Sequence, residues 1–142
     1  ADLVEAAARV LEDRGLRLTV HYASNIPHEE MPYYMAAADV VVHPARFDAS
    51  PNAVKEGMAV GTPVVTTPVG DVVQVSHDLA SVLWVDIDPK DIADKIEAAL
   101  RLGSSLEGRE RLQSLGLSEQ SVAERLFGLY ASWAQPPGSA AA

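Results

Sequence analysis

The sequence predicts an α/β fold: a parallel sheet of about four strands flanked by helices. Three observations predict it. Short, unalternated apolar runs recur along the chain, such as Val40 to Val42 and Val64 to Thr66, as strands covered on both faces require. Segments with a helical apolar period separate these runs. Strict alternation of the two kinds of segment demands right-handed crossovers and a parallel sheet.

The elements follow in order. Asp2 can cap a first helix, with Glu5 three positions on as in a capping box. Leu3, Val4, Ala7, Val10 and Leu11 form its apolar face, and Gly15 ends it. Leu18 to Tyr22 read as a strand and Ala23 to Pro27 as a loop. His28 to Ala37 read as a short helix, with Pro32 near an internal start. Asp39 to Val42 form the next strand, Pro51 to Val60 a helix, and Pro63 to Thr67 a strand. Asp71 to His77 read as a short helix and Val82 to Asp86 as a fourth strand. Pro89 opens a helix through Leu102, with Ile92, Ile96, Ala99 and Leu100 on its core face. A last helical region runs from about Gly108 to Ala134, broken near Gly116 and recapped by Ser118. Its apolar stripe is Val122, Leu126, Leu129, Tyr130 and Trp133, of which Tyr130 and Trp133 are expected either in the core or facing a partner domain of the complete fold. The tail Gln135 to Ala142, rich in Pro, Gly and Ala, reads as disordered. The domain is therefore placed at residues 1–134 and the tail at 135–142.

Composition narrows the function. The 142 residues suit one domain with a real core. The net charge of −9 argues against wrapping a nucleic acid, because no basic face is available to displace counterions. It also disfavours an anionic lipid surface. No apolar run approaches the length of a membrane span. The chain has no cysteine, which excludes a disulfide scaffold and thiolate metal sites and allows a reducing compartment. A cytoplasmic location is the expectation. The chain opens on Ala1 rather than Met, and is expected to be part of a longer protein.

The chemistry concentrates at residues 43–56. Ser50 is the expected N-cap of the helix and Pro51 its first residue. The amides of Asn52, Ala53 and Val54 then point out of the helix end, at the positive pole of its dipole. Asp48 precedes the cap by two residues and can reach that mouth. Glu56 lies about one and a half turns into the helix and can point toward a vicinal diol. Arg46 and Lys55 are the nearest cations, and His43 ends the preceding strand. Open α/β sheets bind ligands at the carboxyl ends of their strands, where these residues sit. A plain stabilising cap and a solvated glutamate fit the same residue types.

The block carries a family pattern. Asp48 and Glu56 are separated by seven residues. Around them stand Ala-Ala-Asp-Val-Val-Val-His-Pro (37–44), Ser-Pro-Asn-Ala-Val-Lys-Glu-Gly-Met-Ala-Val-Gly-Thr-Pro-Val-Val (50–65) and Val-Gly-Asp (69–71). Pro27 to Met35, Gly108 to Glu110 and Leu129–Tyr130 fit as weaker flanks. Over roughly residues 17–133 the chain resembles retaining glycosyltransferases of the GT-B fold, family four, also called group 1. The resemblance implies a Rossmann-like sheet, part of the C-terminal donor-binding domain of that fold. It implies transfer of a hexose from a nucleotide-sugar, a UDP- or GDP-hexose, to an unknown acceptor, with no cofactor and no metal. It assigns Glu56 to the ribose and Asp48, as the catalytic residue, to the donor sugar. Ala49, Ser50, Pro51 and Asn52 would meet sugar hydroxyls and the diphosphate, with His43 and Arg46 nearby. The family carries Glu-Gly where this chain has Asp48-Ala49, so the donor geometry is expected to differ. The family's basic phosphate clamp and its acceptor-binding domain would precede Ala1, so this chain alone is expected to be inactive.

Two alternatives stand beside that reading: a nucleotide-sugar epimerase of the same fold, and a non-catalytic binding or interaction module. Other motifs fail. His28-Glu29-Glu30-Met31-Pro32 lacks the second histidine of a zinc helix. No dinucleotide or P-loop glycine pattern is present, and no Ser sits in a nucleophile setting. Gly61-Thr62-Pro63 reads as a turn, and Gly70-Asp71, at a strand's carboxyl end where it could also contact a ligand, as a helix-capping turn.

Overall fold

A computed structural model describes residues 2–134. Its order is α1 (Asp2–Asp13), α2 (Met31–Ala37), β1 (Val41–His43), α3 (Asn52–Val60), β2 (Val64–Thr66), α4 (Val72–Ser76), β3 (Val82–Trp84), α5 (Pro89–Ala99), α6 (Glu107–Ser114) and α7 (Glu119–Ala134). The three strands form one parallel sheet in the order β1-β2-β3. Val41 pairs with Val64, which pairs with Val82, and so along the register to His43, Thr66 and Trp84.

The sheet divides the core into two layers because successive strand residues point to opposite faces. On one face Val65 packs with Ala7 and Leu11 of α1 and Ile92, Ala93, Ile96 and Ala99 of α5. On the other, Val64 and Val82 pack with Val54 and Met58 of α3, Val72 and Val75, and Leu112 of α6. Arg14 then staples α1 to α5 through Asp94 (2.7 Å) and Glu97 (3.1 Å). Helix α5 starts where Asp88 accepts from the amides of Lys90 and Asp91, with Pro89 in its first turn.

Helix α3 lies unusually close to the sheet. A Cβ on Gly57 would meet Val64 Cγ2 at 2.8 Å, and Val64 is a stiff β-branched side chain in a fully buried position. Gly57→Ala gains up to about 1 kcal/mol in helix propensity but overpacks this contact at a cost of about 1–3 kcal/mol. The variant is expected to lose about 1–2 kcal/mol in urea unfolding; an unchanged midpoint would contradict this packing.

Four expectations need correction. Leu18 to Tyr22 form no strand. Leu18 packs against the core, but Val20 and Tyr22 are exposed and no ladder is formed. An apolar run becomes a strand only where a neighbouring strand pairs with it, and no strand among the described residues does so here. Helix α2 begins at Met31 rather than His28. Helix α3 begins at Asn52, with Pro51 rather than Ser50 in the capping position. Pro51 has ψ 110, still extended, so the helix starts one residue later than expected.

The fourth concerns α7. The break after α6 is as expected, with Gly116 at φ +64 and Ser118 Oγ accepting from the Ser121 amide at 3.2 Å. The apolar stripe beyond it, however, is not core. Leu126, Leu129, Tyr130 and Trp133 are exposed, Trp133 at 77%. The helix has no buried residue, because nothing among the described residues packs over that face. The Asp2 side chain and the tail 135–142 lie outside the described residues.

Candidate functional site

The carboxyl ends of β1 and β2 carry the residues singled out in the sequence. Two threonines at the end of β2 hold the loop that leaves β1. Thr66 Oγ1 donates to the His43 carbonyl at 3.1 Å, and Thr67 Oγ1 donates to the Ala45 carbonyl at 2.6 Å. The Thr67 amide adds a bond to the His43 carbonyl at 3.4 Å. The loop is thus fixed at its root while Arg46 and Phe47 stand exposed beyond it.

The loop then turns on its own aspartate. Asp48 Oδ1 accepts from the Ser50 amide at 3.0 Å, the local bond that makes Asp favourable in such turns. Asp48 Oδ2 lies 3.5 Å from His43 Nε2. His43 Nδ1 is in turn 3.5 Å from Thr66 Oγ1. His43, Asp48 and Ser50 are therefore brought together at the end of β1.

Helix α3 opens beside them. No side chain caps its first turn, so the amides of Asn52, Ala53 and Val54 take no side-chain acceptor. The Ser50 hydroxyl, expected as the cap, is committed elsewhere. It donates to Asp71 Oδ2 at 3.0 Å and accepts from Lys55 Nζ. Lys55 Nζ also pairs with Asp71 Oδ2 at 2.7 Å. Glu56 is half-buried, and its carboxylate has no hydrogen bond or ion pair among the described residues. Arg46 likewise has no such partner.

Asp71 enters from the neighbouring crossover. The chain reaches it through Gly70, which holds φ +56 against the Asp48 and Ala49 carbonyls. Burial alone would raise the Asp71 carboxyl. The bonds from Lys55 and Ser50 and the Lys55 charge outweigh it and hold the group below the usual carboxylate range. The other carboxylate oxygen, Oδ1, is buried with no partner.

This lowered value has a sign that can be checked. The folded state holds Asp71 ionised more tightly than the unfolded chain does, so its contribution is complete at neutral pH. It fades as the pH falls below about 4 and through the depressed folded value. The difference in Tm between wild type and Asp71→Asn is expected to hold from pH 6 to about pH 5 and to shrink as the pH falls on to 3 and below. A difference that stays constant over that range would contradict the ion pair.

The sequence set Lys55 among the cations nearest this mouth and Asp71 at a strand's carboxyl end, but it did not join the two. Val-Gly-Asp had the signature of a capping turn, and Lys55 stood one residue before Glu56 without a visible partner. A contact spanning 16 residues across two crossovers has no local signature.

Two depressions of about 440 and 230 Å³ lie along β3, between α4 and α5, and share no residue with this group. Their polar groups are largely paired with one another. His77 meets Asp78 at 2.6 Å, and Trp84 Nε1 donates to Ser76 Oγ at 3.0 Å. The unpaired carboxylate of Glu56 and the uncapped helix start make the 43–56 mouth the better candidate. Among the described residues no three His, Asp or Glu side chains group as metal ligands. No helix there is long and apolar enough to cross a membrane.

Known proteins resemble this sequence. A family model described as "Glycosyl transferases group 1" matches residues 2–101. A D-inositol 3-phosphate glycosyltransferase of a Nocardioides species is 35% identical over 114 residues, 80% of this chain and 23% of the relative. The protein of the same name from Frankia alni is 29% identical over 98 residues, 68% of this chain and 24% of the relative. The chain thus spans about a quarter of the length of these relatives. The family match covers both Asp48 and Glu56 and every strand of the sheet, and the chain belongs to the glycosyl transferases group 1 family.

Proposed function

We propose that this chain is the donor-binding part of a glycosyltransferase that moves a hexose from a nucleotide-sugar to an acceptor with retention at the anomeric carbon. The observation that carries the reading is Glu56. A half-buried carboxylate without a partner, on a helix whose start is uncapped, is costly unless a ligand completes it. A ribose supplies two adjacent hydroxyl donors for such a group.

The roles are those the family resemblance implies for these positions. Glu56 holds the ribose of the donor. Asp48 faces the hexose, steadied by the Ser50 amide and His43. The backbone from Ala49 to Asn52, with Pro51 setting the turn, meets the sugar hydroxyls and the diphosphate. Arg46 is the exposed cation that can approach the phosphates. Charge accumulates on the diphosphate as its bond to the anomeric carbon breaks. Amides already aimed at that position stabilise it without reorganisation. The departing diphosphate then takes the proton of the attacking acceptor hydroxyl on the same face.

Calorimetric titration of UDP and GDP into the 142-residue chain tests the reading. Saturable binding of at least one is expected. Binding of neither would favour a non-catalytic interaction module. The matched stretch covers only 23–24% of each relative, so we further expect no hexose transfer by this chain alone, measured as release of nucleoside diphosphate. The relatives' names make a phosphorylated polyol the first acceptor to try with a longer protein.

A further inference from the structure

Lys55 is the cation set deepest in the mouth, and it is already spoken for. Its side chain is only 18% exposed and folds back toward the start of its own helix, where Nζ meets both Ser50 Oγ and Asp71 Oδ2. The ammonium therefore sits at the uncapped turn where the diphosphate is placed by the reading above, on which this inference rests. Yet its charge is cancelled by Asp71, and Asp48 adds a further carboxylate to the same loop. We propose that Asp71 is a specificity-determining brake on phosphate binding: it keeps the Lys55 charge cancelled until the donor's diphosphate displaces the carboxylate.

Two features fit a pair built to exchange partners. Asp71 uses one oxygen for both of its bonds while the other, Oδ1, stays buried and unbonded. The carboxylate is thus held but not saturated, and it can turn to accept new bonds if Lys55 leaves. The Lys55–Asp71 contact is also partly exposed, so its net worth is small and a doubly charged ligand can outbid it. A nucleotide-sugar brings two further anchors, the ribose on Glu56 and the hexose at Asp48. Bare pyrophosphate brings neither, and so bears the full cost of opening the pair. The brake accordingly favours the complete donor over free phosphates.

The test titrates inorganic pyrophosphate and UDP into wild type, Asp71→Asn, Lys55→Met and the double variant at low salt. Asp71→Asn keeps the shape and a Ser50 bond but removes the charge. It is expected to bind pyrophosphate about three- to tenfold more tightly than wild type. The gain is expected to vanish in the double variant and to shrink at 0.5 M salt. Equal or weaker pyrophosphate binding by Asp71→Asn overturns the brake, as does a gain that survives Lys55→Met. Pyrophosphate does not touch Glu56, so the two readings fail separately. A Glu56→Ala variant that loses nothing for UDP sinks the donor site, whereas an Asp71→Asn variant that gains nothing for pyrophosphate sinks the brake.

Should Asp71→Asn not fold, the wild type still decides. The chain has only three lysines, at positions 55, 90 and 95. The Lys55 ¹³Cε resonance, assigned by its loss in Lys55→Met, is expected to move more than the other two as UDP is added. A Lys55 resonance that stays still at saturating UDP overturns the exchange.

Discussion

Glu56→Ala is expected to weaken UDP and GDP binding about 100-fold while leaving the fold intact. The size follows from what the carboxylate does. Two charge-assisted hydrogen bonds to a diol are worth about 1.5–3 kcal/mol each before desolvation, so about 3 kcal/mol net is reasonable. Stability should move little, because no protein group relies on this side chain. Alanine is also a better helix former than glutamate by a few tenths of a kcal/mol. The loss should be the same for uridine and guanosine, since a ribose contact does not read the base. Deoxyribose analogues supply the decisive control. Wild type should lose affinity for a 2′-deoxy nucleotide, and Glu56→Ala should lose no more. Additive losses in that cycle would mean that the carboxylate and the hydroxyl never meet.

The sequence carried this site because its elements are local. Glu56 and the start of α3 lie on one helix, and Asp48 needs only two residues to turn onto the Ser50 amide. The strands were legible for the same reason, as Val41, Val64 and Val82 sit in short buried runs. What escaped was everything set by distant packing. Leu18 to Tyr22 have the composition of a strand, but composition cannot supply the partner a strand needs. Trp133 and Tyr130 lie on an apolar stripe, but a stripe does not say whether anything covers it. Ser50 has the ideal chemistry of a cap. Asp71, 21 residues away, takes its hydroxyl instead.

Gly70→Ala joins these two levels, and it is expected to destabilise the chain by about 3 kcal/mol or more. Two costs add. At φ +56 any residue with a Cβ is strained by about 1 kcal/mol or more. The added Cβ would also lie closer than 3.0 Å to the carbonyl oxygens of both Asp48 and Ala49, which are backbone and cannot rotate away. The clash can be relieved only by moving the loop 48–51 or the turn before α4. Either movement separates Asp71 from Ser50 and Lys55, and shifts the backbone that would face a sugar. Gly70→Ala should therefore lose nucleotide affinity even at a temperature where circular dichroism shows it folded. The Gly57→Ala change, which stresses the same helix from its buried side, should lower stability with much less effect on affinity. If both variants cost stability and both bind UDP as wild type does, the loop facing Gly70 does not form the donor's seat. If Gly70→Ala alone loses binding, the close approach of these two crossovers is what shapes the mouth.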